Sequence, residues 1–179
     1  HVAVPAGPLV PAYRQAGVEV HEVDLNATLA HPRLLRRRMD DLADLVATVR
    51  PDIVHSHFVG TTVTMRLALR RHAVPRVFQV PGPLHLENWL TARGEVALAS
   101  QLDYWIGTCQ WTCNRYRQLG VPPERVSLCY YGREPGDFVV GPRGALRAEL
   151  GLDDDTRIVG MVAYMYPPKR YLGYRRGIK

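Results

Sequence analysis

The chain has 179 residues, 46% hydrophobic and 22% charged, the balance of a soluble globular protein with room for one domain or slightly more. Its net charge of +6 sits in the tail, where residues 155–179 carry six basic side chains against Asp155 while the preceding 154 are close to neutral. A body so balanced argues against a nucleic-acid-binding face, and no apolar run reaches the length that spans a bilayer.

In chain order, residues 1–4 read as a strand, and the next element, 8–16, as a short helix stopped by Gly17. Residues 18–25 alternate as a strand does. Residues 32–50 are the clearest helix: Leu35, Met39, Leu42, Val46 and Val49 recur at spacings of four and three and draw one apolar stripe. Pro32 suits the first turn and Pro51 the end. A strand over 52–54 stops at His55-Ser56-His57, a helix follows over 60–72, and a strand over 77–80 stops at Pro81-Gly82-Pro83-Leu84-His85. Residues 87–102 read as helical, with Gly94 an interruption. A strand over 104–108, a helix over 109–119 closed by Gly120, and a strand over 125–131 complete the alternation. A Gly- and Pro-rich loop (132–143), a short helix (145–150) and a last strand (157–163) follow.

Strands alternating with helices imply a parallel sheet with helices on both faces. A Rossmann-like α/β domain is therefore expected over residues 1–140, with residues 141–179 as a linker and the start of a second such domain. Phosphate-loop, dinucleotide, nucleophile-elbow and zinc-helix motifs are absent. In open parallel sheets ligands bind outside the carboxyl ends of the strands. Segment 51–87 thus places His57 and His85 near a site, one after each strand. As a metal pair, His55 and His57 lack an identifiable third ligand, and no metal is expected. Cys109, Cys113, Tyr116 and Leu119 fall on one helical face and read as a buried stripe. Three cysteines make no disulfide framework, so a reducing, cytoplasmic compartment is the default.

The segments PDIVHSHF, VPRVFQVPGPLHLE, DYWIGTCQWTCNRYRQLGVPPERVSLCYYGREPGDF and RAELGLDDDTRIVGMVAY occur in an order and spacing that resembles the retaining glycosyltransferases of family 4. The resemblance implies the GT-B architecture, two Rossmann-like domains facing a cleft. It also implies transfer of a sugar from a UDP- or GDP-sugar to an acceptor hydroxyl, with no further cofactor. This chain would be the acceptor-side domain in a truncated form, its first strand and Gly-rich loop lying upstream of His1.

By the same resemblance His85 is the catalytic-site histidine. The family's usual histidine position is filled here by Pro81, followed by Gly82. His57, Gly60 and Gly82 would line the acceptor cleft. Lys179 looks like the donor-phosphate lysine, with Lys169 and Arg170 as alternatives. The family's Asn-Gly-Val-Asp is replaced by Tyr131-Gly132-Arg133-Glu134. Its acidic donor-sugar segment would lie beyond Lys179. Expected partners are small-molecule substrates and no nucleic acid. Peripheral membrane association is common in the family, although no basic amphipathic helix argues for it here. A non-catalytic Rossmann-like binding module and a GT-B sugar epimerase are the competing readings.

Overall fold

A computed structural model of the chain describes residues 1–25, 31–82, 84–138, 141–142 and 144–160, and the backbone alone of 169–171 and 174–176. Two compact units are distinguished, His1–Gly132 and Arg133–Lys179.

The first unit alternates strand and helix as the sequence implies. Strand β1 (Val2–Val4), helix α1 (Val10–Gln15) and strand β2 (Val20–Glu22) come first. Helix α2 (Pro32–Val49) follows, and its predicted stripe is its inward face: Leu42 and Val46 are buried against Met65, Leu69 and Val74. Burying a side chain of that size contributes about 1.5–3 kcal/mol. Next are β3 (Val54–His57), α3 (Val59–Ala68), β4 (Arg76–Val80), α4 (Leu84–Glu87), α5 (Trp89–Ala97), β5 (Asp103–Gly107), α6 (Gln110–Gln118) and β6 (Val126–Leu128).

Three differences from the sequence reading have local causes. β3 runs through both histidines, because His55 and His57 pair in register with Val77 and Gln79 of β4. The single helix expected over 87–102 is divided at Asn88, whose Oδ1 accepts from the amides of Leu90 and Thr91 and caps a new helix, α5. Cys109 is the N-cap residue of α6 in extended conformation, so the buried stripe begins at Cys113 and continues to Tyr116. α6 lies so close to the sheet that a Cβ on Gly107 would stand 2.5 Å from Cys113 Sγ.

Strands β3, β4, β5 and β6 form one parallel sheet in that order, and β1 and β2 form a separate parallel pair. The register draws rows across the larger sheet. Ser56, Phe78, Trp105 and Val126 make one row, and Val54, Arg76 and Asp103 another. Both rows lie on the face that α2–α6 cover. Phe78, Val80, Trp105 and Val126 pack with Leu86, Ala92, Cys113 and Tyr116. The opposite row, His57, Gln79, Ile106 and Ser127, stays partly or fully open to solvent.

A charged cluster lies inside the covered face. Arg66 of α3 is 2% exposed, and its Nε donates to Asp103 Oδ1 at 2.9 Å. Its Nη1 donates to the Glu95 carbonyl at 2.8 Å and forms an ion pair with the Glu95 carboxylate. Arg76 Nη2 donates to Asp103 Oδ2 at 2.8 Å, and its Nη1 donates to the Leu69 carbonyl. Two cations and two anions thus neutralise each other where solvent is absent. The Arg66 guanidinium also lies 4.9 Å from the centre of the Trp105 ring.

The second unit contains α7 (Ala145–Leu150) and a hairpin of β7 (Lys169–Tyr171) and β8 (Tyr174–Arg176), paired antiparallel. The hairpin was not expected from sequence. Of the strand expected over 157–163, residues 157–160 form no strand, and the remainder lies outside the described residues.

Removing one member of a buried ion pair strands its partner's charge and typically costs about 3–5 kcal/mol. In urea melts of the full-length protein, Asp103→Ala is expected to lose that much stability. Asp40→Ala, at the exposed Arg36–Asp40 pair on α2, should lose less than about 0.5 kcal/mol. Equal losses in the two variants would show that the buried cluster does not hold the domain.

Candidate functional site

The site is built at the carboxyl end of β3. The strand ends at His57, and Phe58 turns the chain into α3 with φ 65° and ψ 147°. That conformation is essentially a glycine region, and a non-glycine residue there costs about 1–3 kcal/mol. Phe58 provides no side-chain cap. Thr61 and Thr62 instead turn their hydroxyls back to the Phe58 carbonyl, at 3.0 and 2.8 Å, and Thr61 also reaches the His57 carbonyl. The amide of Thr62 donates to Phe58 as well, so the amides of Val59, Gly60 and Thr61 precede the first intrahelical bond. They form the positive end of α3 beside the exposed His57 ring.

His55 and His57 share one face of β3, as their spacing predicts, and their ring centres are 4.7 Å apart. Burial lowers the basicity of His55, and the neighbouring His57 lowers it further. Ser56 points to the opposite, covered face and meets Thr62 Oγ1 at 2.9 Å. This bond ties the strand end to the first turn of α3.

A cleft of about 710 Å³ runs alongside. Its two sides are β1, from His1 to Pro5, and the edge of β3 from Ile53 to Phe58. Leu42, Val46 and Met65 supply part of an apolar wall. Among the described residues β1 pairs only with β2 and β3 only with β4, so each strand turns an unpaired edge to the cleft.

His85 is placed differently from the sequence expectation. It lies on α4 and is 7% exposed. Its Nε2 is 3.0 Å from Tyr116 Oη and 4.0 Å from Glu95 Oε2, and its ring centre is 5.9 Å from that of Phe78. Thr91 Oγ1 donates to the His85 carbonyl at 2.5 Å. Burial, reinforced by the Arg66 charge, lowers the His85 pKa to about 4, so the ring is neutral near pH 7. Burial and the Glu95 charge push the Tyr116 phenol well above its usual range, so it stays protonated. The direction of the His85–Tyr116 bond follows the tautomer: the phenol donates to a bare Nε2 or accepts from an Nε2–H. Sequence reading did not single out this link, nor the Arg66 cluster behind it; their partners are 27–37 residues apart, in part on segments read as loop boundaries.

The structure brings His57 and Gly60 together at the end of β3. Gly82 follows β4, and a Cβ there would meet nothing within 4 Å. Lys179 lies outside the described residues, and Lys169 and Arg170 fall in β7, where only the backbone is described. Among the described residues no helix is long and apolar enough to cross a membrane.

A family model described as a glycosyl transferase 4-like domain matches residues 1–132. Similar curated proteins include D-inositol 3-phosphate glycosyltransferases of Mycolicibacterium gilvum and Mycolicibacterium vanbaalenii, 29% and 30% identical over 130 residues. Each alignment covers 66% of this chain and 29% of the relative, so the chain spans about three-tenths of the length of these proteins. Among solved structures, Anabaena Alr3699/HepE in complex with UDP and glucose aligns with a TM-score of 0.61 at 18% identity, covering 83% of this chain and 42% of that one. The same protein with UDP-glucose aligns at 0.59 and 19%, covering 79% and 38%. At that identity the likeness concerns the fold, a parallel α/β domain. With three-quarters of its length matched by the family model, this chain belongs to the family of glycosyl transferase 4-like domains.

Proposed function

We propose that the protein transfers a sugar from a nucleoside-diphosphate sugar to an acceptor hydroxyl with retention of configuration, and that this chain supplies the acceptor-side half of the site. The observation that carries the reading is the end of β3, where the exposed His57 stands beside the uncapped amino end of α3 in a domain of this family. A departing diphosphate needs positive charge fixed in place, and a helix N-terminus provides it without side-chain reorganisation. His57 lines the acceptor side, and Gly60 and Gly82 leave room for close approach. Lys179, Lys169 and Arg170 are the candidate donor-phosphate cations. UDP is the favoured donor base, because the solved relative was captured with UDP and UDP-glucose.

The cleft between β1 and β3 supports a further part of this reading. Two unpaired strand edges facing one apolar gap are the setting for an inserted strand, since buried backbone groups need partners. In the whole protein an additional strand would join the two sheets into one.

His85 enters this reading as a positioning residue. Its neutral ring, held by Tyr116, fixes α4 and with it the loop that leaves β4 at Pro81-Gly82.

Three outcomes follow for the full-length protein. Calorimetry should show UDP binding more tightly than GDP, and sugar transfer should be detected from a UDP-sugar. His57→Ala should lower kcat/KM at least about tenfold, a loss of about 1.4 kcal/mol in transition-state binding. Wild-type turnover in that variant would remove His57 from the site. The stability of the protein should also depend on His85. Its folded pKa of about 4 lies below the unfolded value of 6.5, so the unfolded chain binds the extra proton as pH falls. The contribution is complete above pH 6.5 and is lost between 6.5 and 4, by roughly 3 kcal/mol in total. Urea midpoints for wild type and His85→Gln, compared across that window, should diverge accordingly. Parallel curves would contradict the buried, neutral state.

A further inference from the structure

We propose that His1, Glu19 and His21 form a binding site for a divalent transition-metal ion, with zinc the best match to the ligand set. The parallel register pairs Val2 with Val20 and Ala3 with His21. Residue 1 therefore lies beside residue 19, and strand alternation directs His1, Glu19 and His21 to the same face of the β1–β2 pair. Their donor atoms converge. His1 Nδ1 is 3.2 Å from His21 Nε2 and 3.2 Å from Glu19 Oε2, and His21 Nε2 is 3.7 Å from Glu19 Oε1.

Those separations match a coordination shell. Ligand atoms about 2.0–2.1 Å from a tetrahedral zinc ion are about 3.3 Å apart. The two 3.2 Å separations lie close to that value; the 3.7 Å one is made by the other Glu19 oxygen, so this exposed carboxylate turns to present a single oxygen to the ion. Without an ion, one imidazole nitrogen must donate to the other or to the carboxylate. With an ion, both nitrogens present lone pairs and the carboxylate supplies negative charge. Two imidazoles and one carboxylate suit zinc better than the hard cations, which prefer oxygen alone. The His1 and Glu19 side chains are 46% and 65% exposed, which leaves a fourth position for water.

The placement indicates what the ion does. The cluster lies toward the amino ends of β1 and β2, whereas His57 and the α3 terminus lie at the carboxyl end of β3. β1 and β2 are three residues each and pair only with each other among the described residues. A two-stranded pair of that length is marginal in water. An ion bound by both strands stabilises the pair in proportion to its occupancy. The ion would thus act as a structural clasp on β1 and β2, on the wall of the cleft that His1 and His21 share with His57.

Cobalt(II) is the probe, because its visible absorption reports tetrahedral nitrogen and oxygen ligation. Titrated into the full-length protein at pH 7.5, it should give a visible band that saturates at one equivalent and is displaced by zinc. His21→Ala should abolish the band. Glu19→Gln should weaken cobalt binding more than about tenfold. Zinc should raise the melting temperature of wild type but not of His21→Ala. Glu19 is exposed, so its variant keeps the test valid if His21→Ala disturbs β2. The proposal is overturned if wild type shows no saturable band, or if the band is unchanged in both variants.

Discussion

The domain depends on one guanidinium placed beneath a sheet. Arg66 projects from α3 to Asp103 of β5 and Glu95 of α5, and Arg76 of β4 shares the same aspartate. Three strand or helix segments are thereby held at fixed distances from α3. An apolar core tolerates sliding of one element over another, whereas buried charges in contact do not, because any shift strands a charge in a medium that cannot solvate it. Arg66 Nη2, Arg76 Nε and Glu95 Oε2 have no hydrogen-bond partner among the described residues, so the cluster is also the most costly part of the core.

This constraint reaches the site by two routes. Through α3 it sets where the helix begins, and Phe58 accepts a glycine-like backbone to make the turn from His57. Strain of that kind persists only where the surroundings over-determine it. It also reaches His85, which is buried beside the cluster: burial first, and then the Arg66 charge, favour the neutral ring. The two histidines after adjacent strands therefore differ in kind: His57 is presented to solvent and His85 is packed.

Much of the fold was legible because it rests on local signals. The stripe from Leu35 to Val49 is periodic, and its buried members are Leu42 and Val46. Gly17 takes φ 75° at the end of α1, as a helix stop does. Asn88 is of a capping residue type, but residues 87–102 read as one helical stretch with Gly94 as the interruption, and the cap becomes visible only through the bonds from Leu90 and Thr91. The site was less legible. The position of His57 followed from a strand end, which is local. The burial of His85 depends on Tyr116, 31 residues away, and on Phe78 across a turn, and neither leaves a mark in the spacing around His85. The His1–Glu19–His21 cluster was invisible for the same reason, since it exists only through the parallel register of β1 and β2.

That burial, with the Arg66 charge beside it, keeps His85 neutral is the account's central physical claim, and the protonation can be observed directly. Nitrogen-15 spectra of the histidine rings in the full-length protein, followed from pH 8 to pH 3.5 and assigned with His85→Gln, would report it. The account predicts that the His85 ring stays neutral until the pH approaches about 4. A midpoint near the ordinary histidine value of about 6.5 would contradict it.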